Sequence, residues 1–182
     1  MSKSDNTHEA SASAVGYLYQ CRYALLAGLR AIPQRPQLSI SIERFDDVAF
    51  DVRGEATELI QTKHHLGKAG GLSDASVDLW KTLRIWSTWV ARDLNAPFRV
   101  SFYLLTTAIA PVNSAASYLC ATDRDETKAD ELLMGAIASS KSEENKPAYD
   151  AYSALPKIQR CQSASKKDPL SACKRDPLRR AA

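Results

Sequence analysis

The chain lacks any glycine-rich phosphate cradle. Its seven glycines in 182 residues form neither a G-x-x-x-x-G-K-[ST] loop nor a G-x-G-x-x-G turn, which excludes two common nucleotide-binding devices. No apolar run approaches the roughly 20 residues that a membrane-spanning helix needs. The polar start, with Lys3, Asp5 and Glu9, has no apolar core of a secretory signal. A soluble, cytoplasmic protein without a membrane partner is therefore expected. Cys21, Cys120, Cys161 and Cys173 lie far apart without C-x-x-C spacing, which argues against a disulfide framework or zinc finger and for four reduced or buried thiols. No Ser, Cys and His grouping has the order of a hydrolytic triad. His64 and His65 lack partners at zinc-ligand spacing.

Hydrophobic content of 45% and charged content of 25% fit one soluble globular domain with a real core. The formal charge of +3 is concentrated at the end: from Gln159 onward there are seven Lys/Arg against two Asp, leaving 17 basic and 19 acidic residues before it. Global charge thus says little about nucleic acid, and any phosphate-binding surface must be local. Lys167-Asp168-Pro169-Leu170 is echoed by Arg175-Asp176-Pro177-Leu178 in a stretch poor in aromatic and β-branched residues. The expected organisation is a disordered N-terminus over residues 1–10, a domain over 11–158 and a basic, disordered tail over 159–182.

Apolar periodicity predicts a helix over residues 12–30, with Val15, Leu18, Leu25, Leu26 and Leu29 as its apolar set. Alternation then predicts strands over 37–45 (Leu38, Ile40 and Ile42 on one side), over Val48, Phe50 and Val52, and over 58–64. Ser73 or Asp74 should cap a helix carrying Leu79, Leu83 and all three tryptophans, Trp80, Trp86 and Trp89. A further strand is expected over 98–107, followed by helices near 113–121, 128–139 and 144–155. Packing of the tryptophan helix on a sheet is the favoured reading, because aromatics dominate core burial.

If the second and third strands form a hairpin turning at Glu55, opposed residues sum to about 110. That register sets Asp47 across from Lys63, Ala49 across from Gln61 and Asp51 across from Leu59. Asp47, Gln61 and Lys63 then share one face, while Val48, Phe50, Val52, Ile60 and Thr62 take the other. A carboxylate and an amide oxygen can hold a hard cation, which disperses charge building on a phosphodiester and activates water. A neighbouring lysine can stabilise the attacked phosphate. Glu43 could reach the same ion, and the sequence leaves open whether Glu43, Asp46 or Asp47 is the main ligand, with Asp47 favoured by this register. Read without further context, such a trio is also an ordinary cross-strand grouping.

The order of elements and the Q-x-K closing the third strand resemble the PD-(D/E)xK nucleases. Four strings are similar to a narrower group: Gly16-Tyr17-Leu18-Tyr19-Gln20, Ile42-Glu43-Arg44-Phe45-Asp46-Asp47-Val48, Ile60-Gln61-Thr62-Lys63-His64, and Leu72-Ser73-Asp74 with Leu79-Trp80-Lys81-Thr82-Leu83. They resemble the N-terminal nuclease domain of the CD-NTase-associated double-stranded DNA endonucleases of bacterial antiphage (CBASS) defence. The resemblance implies an α/β, restriction-endonuclease-like core, a mixed sheet flanked by helices in the order αβββαβ with helices following. It also implies Mg²⁺ (Mn²⁺ as substitute), duplex DNA as substrate, and Asp47, Gln61 and Lys63 on the motif positions. Glu43 would accompany them as a metal ligand, and Gln20 would border the site. In that group a C-terminal domain senses a cyclic oligonucleotide and triggers assembly into oligomers. No room for such a domain is evident here, so the chain is expected to be a fragment, a stand-alone relative, or a subunit whose sensor is supplied separately.

Two other readings compete: a catalytically inactive DNA-binding or assembly module of the same fold, and an adaptor presenting the tryptophan helix as an interface. Lys81, Arg84 and Arg92 are candidate phosphate contacts. Lys68, Gly70 and Gly71 are candidates for a mobile loop over the DNA backbone.

Overall fold

A computed structural model describes residues 5–63, 70–120 and 124–163, with side chains from residue 13 onward. The first helix, α1 (Asp5–Ala31), begins at Asp5, ahead of the expected residue 12. Its buried stripe is Tyr19, Gln20, Tyr23, Ala24, Ala27 and Ala31, whereas Leu18, Leu25 and Leu29 face solvent. The leucine periodicity thus marked the outer face. The cause is close approach to the sheet: a Cβ on Gly28 would lie 2.6 Å from Ile40 Cδ1, so small residues are needed where the helix touches.

The sheet contains β1 (Leu38–Ile42), β2 (Val48–Val52), β3 (Glu55–Lys63) and β4 (Ser101–Thr106) in the order β1-β2-β3-β4. The first three run antiparallel, and β4 lies parallel to β3, reached through the crossover helix α2 (Val77–Arg92). The architecture is α/β, a four-stranded mixed sheet flanked by helices, as expected. Val48, Phe50, Ile60, Tyr103 and Leu105 pack with α1 on one face. Ala49, Leu59 and Phe102 pack on the other with α2 and the later helices.

The β2–β3 register corrects the one read from sequence. Val52 pairs with Glu55, so the turn is the two residues Arg53 and Gly54, with φ of 56° and 85°, the positive-φ pair of a type I′ hairpin. Phe50 then pairs with Glu58 while Asp51 pairs with Ala56, leaving Thr57 as a bulge residue whose hydroxyl donates to the Phe50 carbonyl at 3.1 Å. Ala49 consequently faces Leu59, not Gln61, and Asp51 does not face Leu59. Because the slip is two residues, faces survive while partners change.

Ser76, rather than Ser73 or Asp74, caps α2, accepting from the Leu79 N–H. Asp74 instead accepts from the Ala115 N–H at 2.7 Å, at the start of α4 (Ala115–Tyr118). Trp80 is fully buried. Its Nε1–H donates to the Asp74 carbonyl at 2.6 Å, and its ring stands edge-on to Tyr149 and Tyr152 at 4.5 and 5.9 Å. Trp86 packs on Phe102. With two of three tryptophans inside the core, the adaptor reading loses its interface.

The expected long fourth strand is split. Pro97 sits in the first turn of a short helix, α3 (Ala96–Arg99), where its missing donor is harmless and where a ladder would have needed one. Beyond β4 and α4 come α5 (Glu126–Ser139), α6 (Lys146–Ser153) and α7 (Lys157–Ser163). Asp130 of α5 accepts two bonds from Arg160 of α7, from Nε at 2.6 Å and Nη2 at 3.2 Å. It also accepts the Tyr152 hydroxyl of α6 at 2.9 Å. Residues 159–163 are therefore part of a packed helix, not of a tail; residues 164–182 lie outside the described residues. Cys21 and Cys161 are free thiols, as expected of reduced cysteines, and Cys173 lies outside the described residues. Among the described residues no helix is long and apolar enough to cross a membrane.

Candidate functional site

The segment between β1 and β2 is anchored from both sides. Glu43 adopts the left-handed region with φ 58°, and its N–H donates to the Asp47 carbonyl at 3.2 Å, closing the turn. Trp89 of α2 donates Nε1–H to the Phe45 carbonyl at 3.3 Å, and the two rings meet edge-on at 6.3 Å. Two consecutive aspartates thereby take different jobs.

Asp47 ties down β3. Its Oδ2 accepts from the Thr62 N–H at 2.7 Å and from the Thr62 hydroxyl at 2.8 Å. The Lys63 carbonyl accepts from Thr107 N–H on the β4 side, so by alternation the Thr62 N–H points toward β2. There β2 has already ended, its last partner being Val48 with Ile60. The carboxylate replaces the missing strand backbone. Thr62 shares the α1 face with Ile60, whereas Gln61 and Lys63 alternate onto the opposite face with Leu59. Asp47 was expected across from Lys63; the register and these bonds commit it to Thr62 instead.

Asp46 is close enough to Asp47, Lys63 and Glu43 to feel their charges. Its Oδ1 accepts from the Asp47 N–H at 3.0 Å, while Oδ2 is buried without a hydrogen-bond partner. Burial raises its pKa to about 7; the Asp47 N–H bond opposes this, the Asp47 charge adds to it, Lys63 opposes it and Glu43 adds to it. Gln61, 3% exposed, also has a buried Oε1 without partner, and it pairs with Leu104 in the β3–β4 ladder. Lys63, at the end of β3 beside Thr106, forms no ion pair among the described residues. Glu43 is exposed at the rim. Gln20 is buried on α1, and its Oε1 is likewise unpartnered.

Buried, unpaired oxygens are costly, and each calls for a physical explanation. Others occur at Ser41, Asp51 and Gln159, and Asp51 sits at the far, hairpin end of the sheet. Asp46 differs in having Lys63 near enough to influence its carboxyl, and Gln61 lies two residues before that lysine on β3. The donor set is all oxygen, which suits a hard divalent cation rather than zinc. Among the described residues no three His, Cys, Asp or Glu side chains group as metal ligands.

The remaining expected residues are scattered. Lys81 pairs with Glu144 at 3.2 Å, which leaves Arg84 and Arg92 as exposed cations on α2. Gly71 bridges to Ile109, and the Gly70 carbonyl accepts from the Ile109 N–H; His64, His65 and Lys68 lie outside the described residues. Sequence reasoning underweighted Asp46. The D-D doublet was the only available signal, and which aspartate turns inward depends on where β2 starts. No protein-family model, no curated protein and no solved structure matches the chain.

Proposed function

We propose that the chain is a divalent-metal-dependent endonuclease acting on double-stranded DNA, in antiphage defence as in the group its motifs resemble. The observation that carries this reading is the pair of buried, unpartnered oxygens, Asp46 Oδ2 and Gln61 Oε1, with the Lys63 ammonium close enough to act on the Asp46 carboxyl. Asp46 and Gln61 would hold Mg²⁺ or Mn²⁺, with Glu43 reaching in from the rim. Such an ion supplies Lewis-acid stabilisation of phosphate oxygens and a more acidic bound water. Lys63, without a carboxylate ion pair among the described residues, would bond a non-bridging phosphate oxygen as charge accumulates on it. Asp47 keeps the end of β3 in position through Thr62.

The test is nicking of supercoiled plasmid in Mg²⁺ or Mn²⁺, comparing wild type with Lys63→Met. Loss of about a hundredfold in rate is expected for the variant; equal rates would remove Lys63 from the chemistry. The competing reading, an inactive DNA-binding or assembly module, draws on the absence of a three-acid group among the described residues. It would gain from DNA binding with no metal-dependent cutting.

A further inference from the structure

The basic side chains at five places are already committed to carboxylates: Arg35 to Glu58, Lys81 to Glu144, Arg99 to Asp93, Lys146 to Asp150 and Arg160 to Asp130. Arg44 differs. It is exposed, and its guanidinium carbon lies 4.8 Å from the centroid of the Phe45 ring, with no acidic partner among the described residues. The ring beneath it is itself fixed, by Trp89 edge-on and by the Trp89 Nε1–H bond to the Phe45 carbonyl. A helix, an indole, a phenyl ring and a guanidinium therefore form one continuous stack leading from the core to the surface. Stacking consumes a face of the guanidinium and leaves its in-plane N–H donors for an anion. The left-handed Glu43 sets the direction in which the next residue leaves the turn.

We propose that Arg44, braced on Phe45, is a contact for a backbone phosphate of duplex DNA, next to the phosphate held at Asp46 and Lys63. Asp46 is two residues along the chain, with its Cα at most about 7 Å from that of Arg44, so both side chains rise from one short turn. The contact is sequence-independent and fixes the register of the strand over the site. The inference rests on the nuclease reading of the neighbouring oxygens, yet its test needs no cutting.

The experiment is fluorescence anisotropy of a short fluorescein-labelled duplex in EDTA, over a series of KCl concentrations, with wild type, Arg44→Ala, Arg44→Lys and Phe45→Leu. Thermal melts establish that each variant is folded. Arg44→Ala is expected to weaken binding roughly three- to tenfold and to lower the salt slope by about one. Arg44→Lys should restore the slope but not the full affinity, since an ammonium has no planar fork to stack. Phe45→Leu should weaken binding while leaving the slope in place. Unchanged affinity and slope in Arg44→Ala, or no binding by wild type, would overturn the inference. A parallel Mn²⁺ titration separates the two ideas: Mn²⁺ binding with an unaffected Arg44→Ala sinks the phosphate contact alone, and no Mn²⁺ binding with a weakened Arg44→Ala sinks the metal site alone.

Discussion

Asp47 Oδ2 accepts both the N–H and the hydroxyl of Thr62, at 2.7 and 2.8 Å, where the β2 ladder has stopped. A side chain thereby finishes a strand pairing that the backbone leaves incomplete. Thr62 is buried, so losing the acceptor strands two donors.

Asp47→Ala should therefore cost stability, about 1–3 kcal/mol, read as a lower urea midpoint with an unchanged m-value. Asp47→Asn keeps an acceptor and should cost less. Divalent-cation affinity of Asp47→Asn should stay near that of wild type, since its carboxylate serves Thr62. Strong loss of affinity in that variant would show Asp47 to be a ligand.

Asp46 makes a pH prediction. An acid whose folded pKa is raised, here from 3.8 to about 7, binds more protons folded than unfolded. Its stabilising contribution in metal-free protein is greatest below pH 4 and is lost as pH rises from about 4 to about 7. About three units correspond to at most roughly 4 kcal/mol. Chemical denaturation in EDTA across that range should show the decline, and Asp46→Asn should flatten it. An identical pH profile for wild type and Asp46→Asn would contradict the assignment.

The Asp130–Arg160 pair, with both side chains almost fully buried, holds α7 on α5 and α6. Removing one partner leaves a buried charge uncompensated, so Arg160→Met should cost about 3–5 kcal/mol. The double variant Asp130→Leu with Arg160→Met should recover part of that. Thermal or urea unfolding of the three proteins checks the cycle, and purely additive losses would argue against direct coupling.

Much of the sheet was legible because alternation is a local signal. Val48, Phe50 and Ile60 fall on the face expected of them, and β3 closes with Gln61 and Lys63 in place. The register was not legible. It depends on a bulge at Thr57 and on Arg53 accepting a positive φ that Asn or Gly usually takes, and neither leaves a mark in the pattern. The buried face of α1 was misread for a similar reason: Leu18, Leu25 and Leu29 are periodic, but Gly28 and the alanines mark where the helix meets Ile40. At the site, the β2 ladder stops at Val48, so Asp46 and Asp47 lie in an irregular turn where alternation does not give side-chain directions. The tail boundary failed because composition at Arg160 is basic, while its environment supplies Asp130.

The most direct measurement is isothermal calorimetry of Mn²⁺ or Mg²⁺ binding to wild type, Asp46→Asn, Gln61→Ala and Asp47→Asn, because it requires neither DNA nor activation. The account predicts one site per chain, weakened at least tenfold by Asp46→Asn, weakened also by Gln61→Ala, and little changed by Asp47→Asn. Wild-type protein that binds neither ion, or an Asp46→Asn isotherm superimposable on wild type, would contradict it.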